Sequence, residues 1–412
     1  MPFVDKPIIF IEKSNYLYLM FNTIQKLSQK YFSEAIEFRH QMHRFPELSF
    51  EEKETALLIA KELDKISVPY KKDIGGNGIV ATLEGKSSNK KIIALRADFD
   101  ALPIHEETNL DFSSENKGVM HACGHDIHTS SLLSVLRVLN DLKDKWEGTI
   151  HFVFQHAEEL LPGGAKQMIE ANLFGSLQPE FVIAQHVDPD IEVGCFGFKS
   201  GRYMASNDEI YLTIEGKGGH GAMPHKINDT VLSASQIIVN LQQIASRLVP
   251  STVPMVLSFG RMIAEGATNV IPEKVEIAGT FRMFDEDLRK EVHQHIKRIA
   301  ESTAESFGTS CVVDIRKGYP VVDNNIELTE IARKLVEKDL GEDKLVDLDF
   351  RMTSEDFGYF SQSYKSLFYR LGVGHENPEL NYPLHSSKFN PNEDALLHSI
   401  QYMTALALKL LS

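Results

Sequence analysis

The chain has 412 residues, 42% of them apolar and 25% charged, enough for packed cores in two or three domains. A formal charge of −15 excludes the basic footprint that nucleic acid requires and argues against docking on an anionic membrane surface. Three cysteines (Cys123, Cys195, Cys311) are odd in number and far apart, which fits a reducing compartment and a cytoplasmic location.

Residues 1–21 read as an N-terminal extension, and Met20 offers an alternative start. Within it, PIIFIEKSNYLYLMF (7–21) is apolar but broken by Glu12, Lys13 and Asn15, too interrupted to span a bilayer. Thr23 to His43 predicts an amphipathic helix, with Ile24, Leu27, Tyr31, Ile36 and Phe38 along one stripe. A second helix runs from Thr55 to Leu63, followed by a glycine turn at 75–78. Ile79–Leu83 and Ile92–Leu95 read as strands joined by the polar stretch 84–90. The second strand runs into Arg96-Ala97-Asp98-Phe99-Asp100, placing acids where open α/β sheets build their sites. A helix from His128 to about Leu142 follows, then a strand Thr149–Phe154 that ends in Gln155-His156-Ala157-Glu158-Glu159. Gly163-Gly164 precedes a short helix, and Phe181–Ala184 is a strand ending at Gln185-His186. Three strand ends thus carry acids or histidines, on an α/β sheet with ligands gathered along one edge.

The pattern changes near Lys199. Strand 208–214, helix 229–248, strands 255–259 and 275–281, helix 285–307 and strand 311–315 spell β-α-β-β-α-β, the ferredoxin-like order. A complete motif of this kind inside the chain reads as an inserted domain, so the first domain is discontinuous. Helix 326–340, strand 367–371 and helix 393–411 return to it.

The densest chemistry lies in Gly118-Val119-Met120-His121-Ala122-Cys123-Gly124-His125-Asp126-Ile127-His128. Imidazoles, a thiol and a carboxylate are the donors that bind late first-row metals. One cysteine among histidines suits neither a disulfide nor a zinc finger, so the stretch reads as half of a metal site awaiting partners, the plain alternative being a polar loop before a helix. Glu158 and Glu159 are adjacent, and neighbouring side chains at a strand end or turn point apart. One acid can then hold metal while the other faces a water, the division that metal-assisted hydrolysis uses. Gly216-Lys217-Gly218-Gly219-His220-Gly221 fits the dinucleotide fingerprint, but the acid expected about twenty residues on is missing. It reads instead as a loop that presents His220. Asn269 and Arg282 are candidates for an oxyanion or a substrate carboxylate.

The chain resembles the dinuclear metal amidohydrolases that include hippurate hydrolase, N-acyl-amino-acid amidohydrolases and auxin-conjugate hydrolases. The resemblance rests on HQMHRFPELSFEEKETA (40–56), LRADFDALPI (95–104), GVMHACGHDIHT (118–129), QHAEELLPGGAKQMIE (155–170), GKGGHGAMPH (216–225), GATNVIPE (266–273), GTFRMF (279–284), TSEDFGYF (353–360) and LHSSKFNPNEDAL (384–396). It implies a metallopeptidase-like catalytic domain, a mixed sheet flanked by helices, over residues 22–198 and 319–412. It implies a ferredoxin-like α+β lid and dimerisation domain over 199–318, and a homodimer or higher oligomer. Two divalent cations (zinc, manganese, nickel or cobalt) would be held by Cys123, His125, Glu159, His186 and His385, with the Cys123 thiolate as a candidate bridge. Glu158 would be the general base and Asp98 would hold a ligand imidazole in its working tautomer. His220, from this or the partner subunit, and Asn269 would face the oxyanion, and Arg282 the substrate. His156 departs from the family, much of which has proline there, and is expected to point away from the metals. The activity implied is hydrolysis of an N-acetyl or N-benzoyl amino acid to a carboxylic acid and a free amino acid. The alternatives are a dipeptidase or an N-acetyl-diaminopimelate deacetylase on the same site, and, in other classes, a nucleotide-dependent oxidoreductase or a silent binding protein.

Overall fold

The computed structural model describes residues 8–87 and 91–412, with side chains from Met20 onward. The first seven residues of the expected extension, and 88–90 of the polar stretch, lie outside the described residues. The chain divides into two compact units. The first comprises the residues up to Gly201, Asn324–Leu348 and Ser363–Ser412; the second comprises Arg202–Asp323 and Asp349–Gln362.

Among the described residues the first unit holds an eight-stranded mixed sheet. Its order is Tyr70–Ile74, Gly78–Glu84, Thr149–Gln155, Ile92–Asp98, Phe181–Glu192, Lys365–Gly374, Phe196–Phe198 and Leu345–Asp347. The central strands Thr149–Gln155, Ile92–Asp98, Phe181–Glu192 and Lys365–Gly374 run parallel. Strands buried on both faces need near-continuous apolar sequence, and Ile93, Leu95, Ile150, Phe152, Ile183 and Leu367 are all fully buried. Helices Ile8–Arg44, His125–Asp141 and Ala395–Leu411 pack on one another and carry much of the apolar core. The first of these helices begins well ahead of the expected Thr23. Among the described residues, no helix is long and apolar enough to cross a membrane.

The second unit contains an antiparallel four-stranded sheet in the order Met255–Ile263, Lys274–Met283, Ser206–Glu215, Ser310–Lys317. With helices Thr230–Leu241 and Glu286–Ser306, the chain order is β-α-β-β-α-β, as the spacing predicts. Both helices begin on an aspartate cap: Asp229 accepts from Leu232 N at 2.9 Å, and Asp285 from Asp287 N and Leu288 N at 3.0 Å. The first is shorter than expected. It stops at Leu241 and gives way to a wide turn at Ile244–Leu248, and Val249, the residue before Pro250, is extended.

Candidate metal centre

The parallel strand Ile92–Asp98 ends on Asp98, and Asp100 follows two residues later; both carboxylates are buried. Gly124, at φ +80°, turns the chain from the cysteine segment into helix His125–Asp141. A Cβ at Gly124 would lie 2.5 Å from Val187 Cγ2, so only glycine lets this segment approach the Phe181–Glu192 strand. That approach brings Cys123 Sγ to 3.4 Å from His186 Nε2. His186 does not end its strand, as the sequence suggests. Asp188-Pro189-Asp190 reads as a turn, but parallel pairing with Lys365–Gly374 carries the strand to Glu192 and leaves His186 in its middle.

Hydrogen bonds fix the rings of His125, His128 and His186. His128 Nδ1 lies 2.6 Å from Asp98 Oδ1, and its Nε2 accepts from Val187 N–H at 3.0 Å. Both nitrogens are engaged, so His128 is a neutral bridge with no lone pair left for a cation. His125 Nδ1 lies 2.9 Å from the Asp100 carbonyl and 3.2 Å from its Oδ1, so Nδ1–H donates. Its Nε2 is buried without a hydrogen-bond partner. His186 donates Nδ1–H to the Val187 carbonyl at 2.8 Å, leaving Nε2 toward Cys123. Two imidazoles thus turn their Nε2 atoms toward a common space, each ring fixed by a donor contact on its far side. The acid holding the His125 imidazole is Asp100, not Asp98. Asp98 holds His128, accepts from Arg96 Nη1 at 2.5 Å, and lies 3.9 Å from His125 Nε2. Asp100 Oδ2 also accepts from Ser49 Oγ and Glu159 N–H, tying the acidic loop to the same strand end.

Glu158 and Glu159 lie in the loop after strand Thr149–Gln155. Their carboxylates do not diverge: one oxygen of each lies within 4.8 Å of the other and of a His125 nitrogen. The segment is irregular, with Ala157 at φ +49°, so strand alternation does not apply. His385 sits in a left-handed turn at φ +65°, where its N–H donates to the Ala122 carbonyl at 2.8 Å. That bond places His385 Nε2 3.3 Å from Glu159 Oε1. Two donor groups emerge, Cys123/His125/His186 and Cys123/Glu159/His385, each with ligand atoms within 4.8 Å of one another. Cys123 belongs to both.

The electrostatics suit a cation. Burial and the Glu159 and Glu158 carboxylates push the Cys123 thiol well up. Burial disfavours charge on His125, but Asp98 and Asp100 outweigh it and raise its pKa to about 10. Burial, with Arg370 second, pulls His186 well down. Soft and borderline donors, an orphaned Nε2 and crowded carboxylates fit a thiolate–imidazole–carboxylate metal centre.

His121, in the same motif, stands apart. Both its ring nitrogens are buried without partners, and burial pushes it down to about 4. His156 Nε2 lies 3.0 Å from Gln167 Oε1 and packs against the Gly76 turn, outside every donor group among the described residues. Asp126 faces a different cluster: its Oδ2 accepts from Arg39 Nε at 2.9 Å and lies 2.9 Å from His43 Nδ1. Arg39 Nη1 reaches Glu393 at 2.6 Å and His43 Nε2 reaches Glu106 at 3.2 Å. Nothing singles out this cluster in sequence except the polar residues Arg39, His40 and His43 within an otherwise amphipathic helix.

In the second unit, His220 lies in the two-residue strand Gly219–His220, paired with Val270–Ile271, and is exposed. Gly221 N–H donates to the Asn269 carbonyl at 2.8 Å, which sets Asn269 beside His220. Arg282 is half-buried, with Nη1 donating to Met352 O at 3.2 Å and Ser354 Oγ at 3.3 Å.

The model for peptidase family M20/M25/M40 matches residues 94–409. The chain belongs to that family. It is a metal-dependent amidohydrolase. It is 41% identical over 306 residues to an N-acyl-L-amino acid amidohydrolase of Geobacillus stearothermophilus, covering 73% of this chain and 80% of that one. It is 38% identical over 376 residues to an N-acetyldiaminopimelate deacetylase of Enterococcus faecalis, covering 89% and 95%. Among solved structures it is similar to the YXEP protein of Bacillus subtilis, described as a dinuclear metal binding peptidase from the M20 family. There the TM-score is 0.80 at 32% identity, over 93% of this chain and 99% of the other.

Proposed function

We propose that this amidohydrolase cleaves the amide bond of N-acyl amino acids, N-acetyl or N-benzoyl, to a carboxylic acid and a free amino acid. The observation that carries this reading is the pair of donor groups sharing Cys123, with Glu158 beside them. Cys123, His125 and His186 would hold one divalent cation, and Cys123, Glu159 and His385 a second. When bound, such cations acidify a water and polarise an acyl oxygen. Glu158 takes the proton of the attacking water and returns it to the leaving nitrogen, a general acid–base role worth about 10²–10⁴-fold. Asp100, Asp98 and the Val187 backbone hold the imidazoles in register. His220 and Asn269 are assigned to the developing oxyanion and Arg282 to the substrate carboxylate. Residues 22–198 and 319–412 are assigned as catalytic domain and 199–318 as lid and dimerisation domain, in a cytoplasmic homodimer. Zinc suits the thiolate and imidazoles, and manganese, cobalt and nickel suit the mixed set.

Glu158→Gln is expected to lower kcat by about 100-fold or more with metal content unchanged. Full activity in that variant would remove Glu158 as the base. The second reading, deacetylation of N-acetyl-diaminopimelate by the same residues, is supported by the Enterococcus relative. Rates on N-acetyl and N-benzoyl amino acids, N-acetyl-diaminopimelate and dipeptides rank the two, and a preference for dipeptides would overturn both.

A further inference from the structure

A cavity of about 760 Å³ lies in the first unit, well away from the metal centre. Lys91 and Trp146-Glu147 line it at the start of strands Ile92–Asp98 and Thr149–Gln155, whereas Asp98 and the Glu158 loop follow their far ends. Seven residues of strand at about 3.3 Å each separate the two sites by roughly 20 Å. The remaining walls come from helices Ile8–Arg44, Ile326–Asp339 and Ala395–Leu411.

Two features of the lining define what would fit. Its inner wall is apolar: Phe21, Ile24, Trp146, Leu335 and Leu408. The Trp146 Nε1–H already donates to the Leu139 carbonyl at 3.0 Å, so its ring offers the cavity an apolar face. Five lysines stand around that wall, Lys91, Lys145, Lys334, Lys338 and Lys409, against two acids, Glu147 and Asp339. In a chain of net charge −15 this is a local reversal of sign. Lys91 donates to the Leu410 carbonyl at 3.0 Å and Lys334 pairs with Glu330 at 3.1 Å, so both are anchored at the rim. The volume falls in the range of small-molecule sites, which are mostly apolar with a few convergent polar groups.

We infer that this cavity is a binding site for an amphipathic carboxylate: a hydrocarbon tail among the apolar residues, its head held by the lysine rim. The tail supplies the affinity, at about 0.8 kcal/mol per buried CH₂, and the lysines select the anion. This inference does not depend on the substrate of the catalytic centre.

Trp146 is the only tryptophan of the chain, so its fluorescence reports this cavity directly. Laurate titrated into the metal-loaded protein below its critical micelle concentration should give a saturable change, and dodecanol and acetate should bind at least tenfold more weakly. The exposed pair Lys334→Glu with Lys338→Glu should weaken laurate about tenfold without altering the thermal midpoint. Glu158→Gln should bind laurate as the parent does, which separates this site from laurate acting as a product in the catalytic centre. Equal response to laurate and dodecanol, or no effect of the charge reversals, overturns the inference. So does a response to vesicles of anionic phospholipid that laurate does not reproduce, which would make the patch a membrane contact.

Discussion

His125 and Asp126 are neighbours on one helical turn, yet they serve two buried clusters of opposite design. Around Asp126 opposite charges face one another: Arg39 pairs with Asp126 and Glu393, and His43 with Asp126 and Glu106, which lift His43 even though burial opposes its charge. Around His125 the groups are candidate ligands facing one another: a thiol, imidazole nitrogens and two adjacent carboxylates, with the His125 Nε2 left without a hydrogen-bond partner. A buried polar cluster whose opposite charges are paired with one another needs no added ion. One that crowds ligand atoms around a common space is stabilised by a cation there.

The sharpest break in this comparison is metal removal. Chelation is expected to abolish turnover and, relative to free metal at about 100-fold above its Kd, to remove about 2.7 kcal/mol of stability per site. An unchanged thermal midpoint on chelation would erase the difference between the clusters. Next in size is Asp126→Asn, which removes one of the two carboxylates paired with the buried Arg39. It should cost about 3–5 kcal/mol by chemical denaturation while metal content is retained. Loss of metal with little loss of stability would instead place Asp126 in the metal centre. The smallest effect concerns Glu106. Burial opposes its ionised form, but His43 and Thr108 prevail and hold its carboxyl at about 2. A carboxyl lowered in the folded state stabilises above its unfolded value and loses that contribution as pH falls through its folded one. Stability of the metal-free protein should therefore fall between about pH 4.5 and 2, and Glu106→Gln should flatten that slope.

Much of this was legible in the linear chain because it rests on local pattern. The apolar runs at 92–98 and 149–155, and the β-α-β-β-α-β rhythm of the second unit, need no long-range information to be read. The crowding of Cys123, His125 and His128 is visible in six residues. What the string hides is the ring state. His125 and His128 look equivalent three residues apart, and only backbone groups of other segments, Asp100 O and Val187 N–H, decide which keeps a free nitrogen. Asp188-Pro189-Asp190 carries every local sign of a turn, and pairing with a distant strand overrides it. The partners of Asp126 lie some ninety residues earlier, in a helix whose apolar stripe hides its charged face.

The strand that carries His186 gains one of its two neighbours only from Lys365–Gly374, near the other end of the chain. A ribosome working at 5–20 residues per second needs on the order of ten to thirty seconds to bridge that interval. During that time the nascent polypeptide presents an apolar, unpaired strand edge. Association with chaperones, or aggregation when translation stalls in this stretch, is the cellular cost of threading an insertion between two neighbouring strands of one sheet.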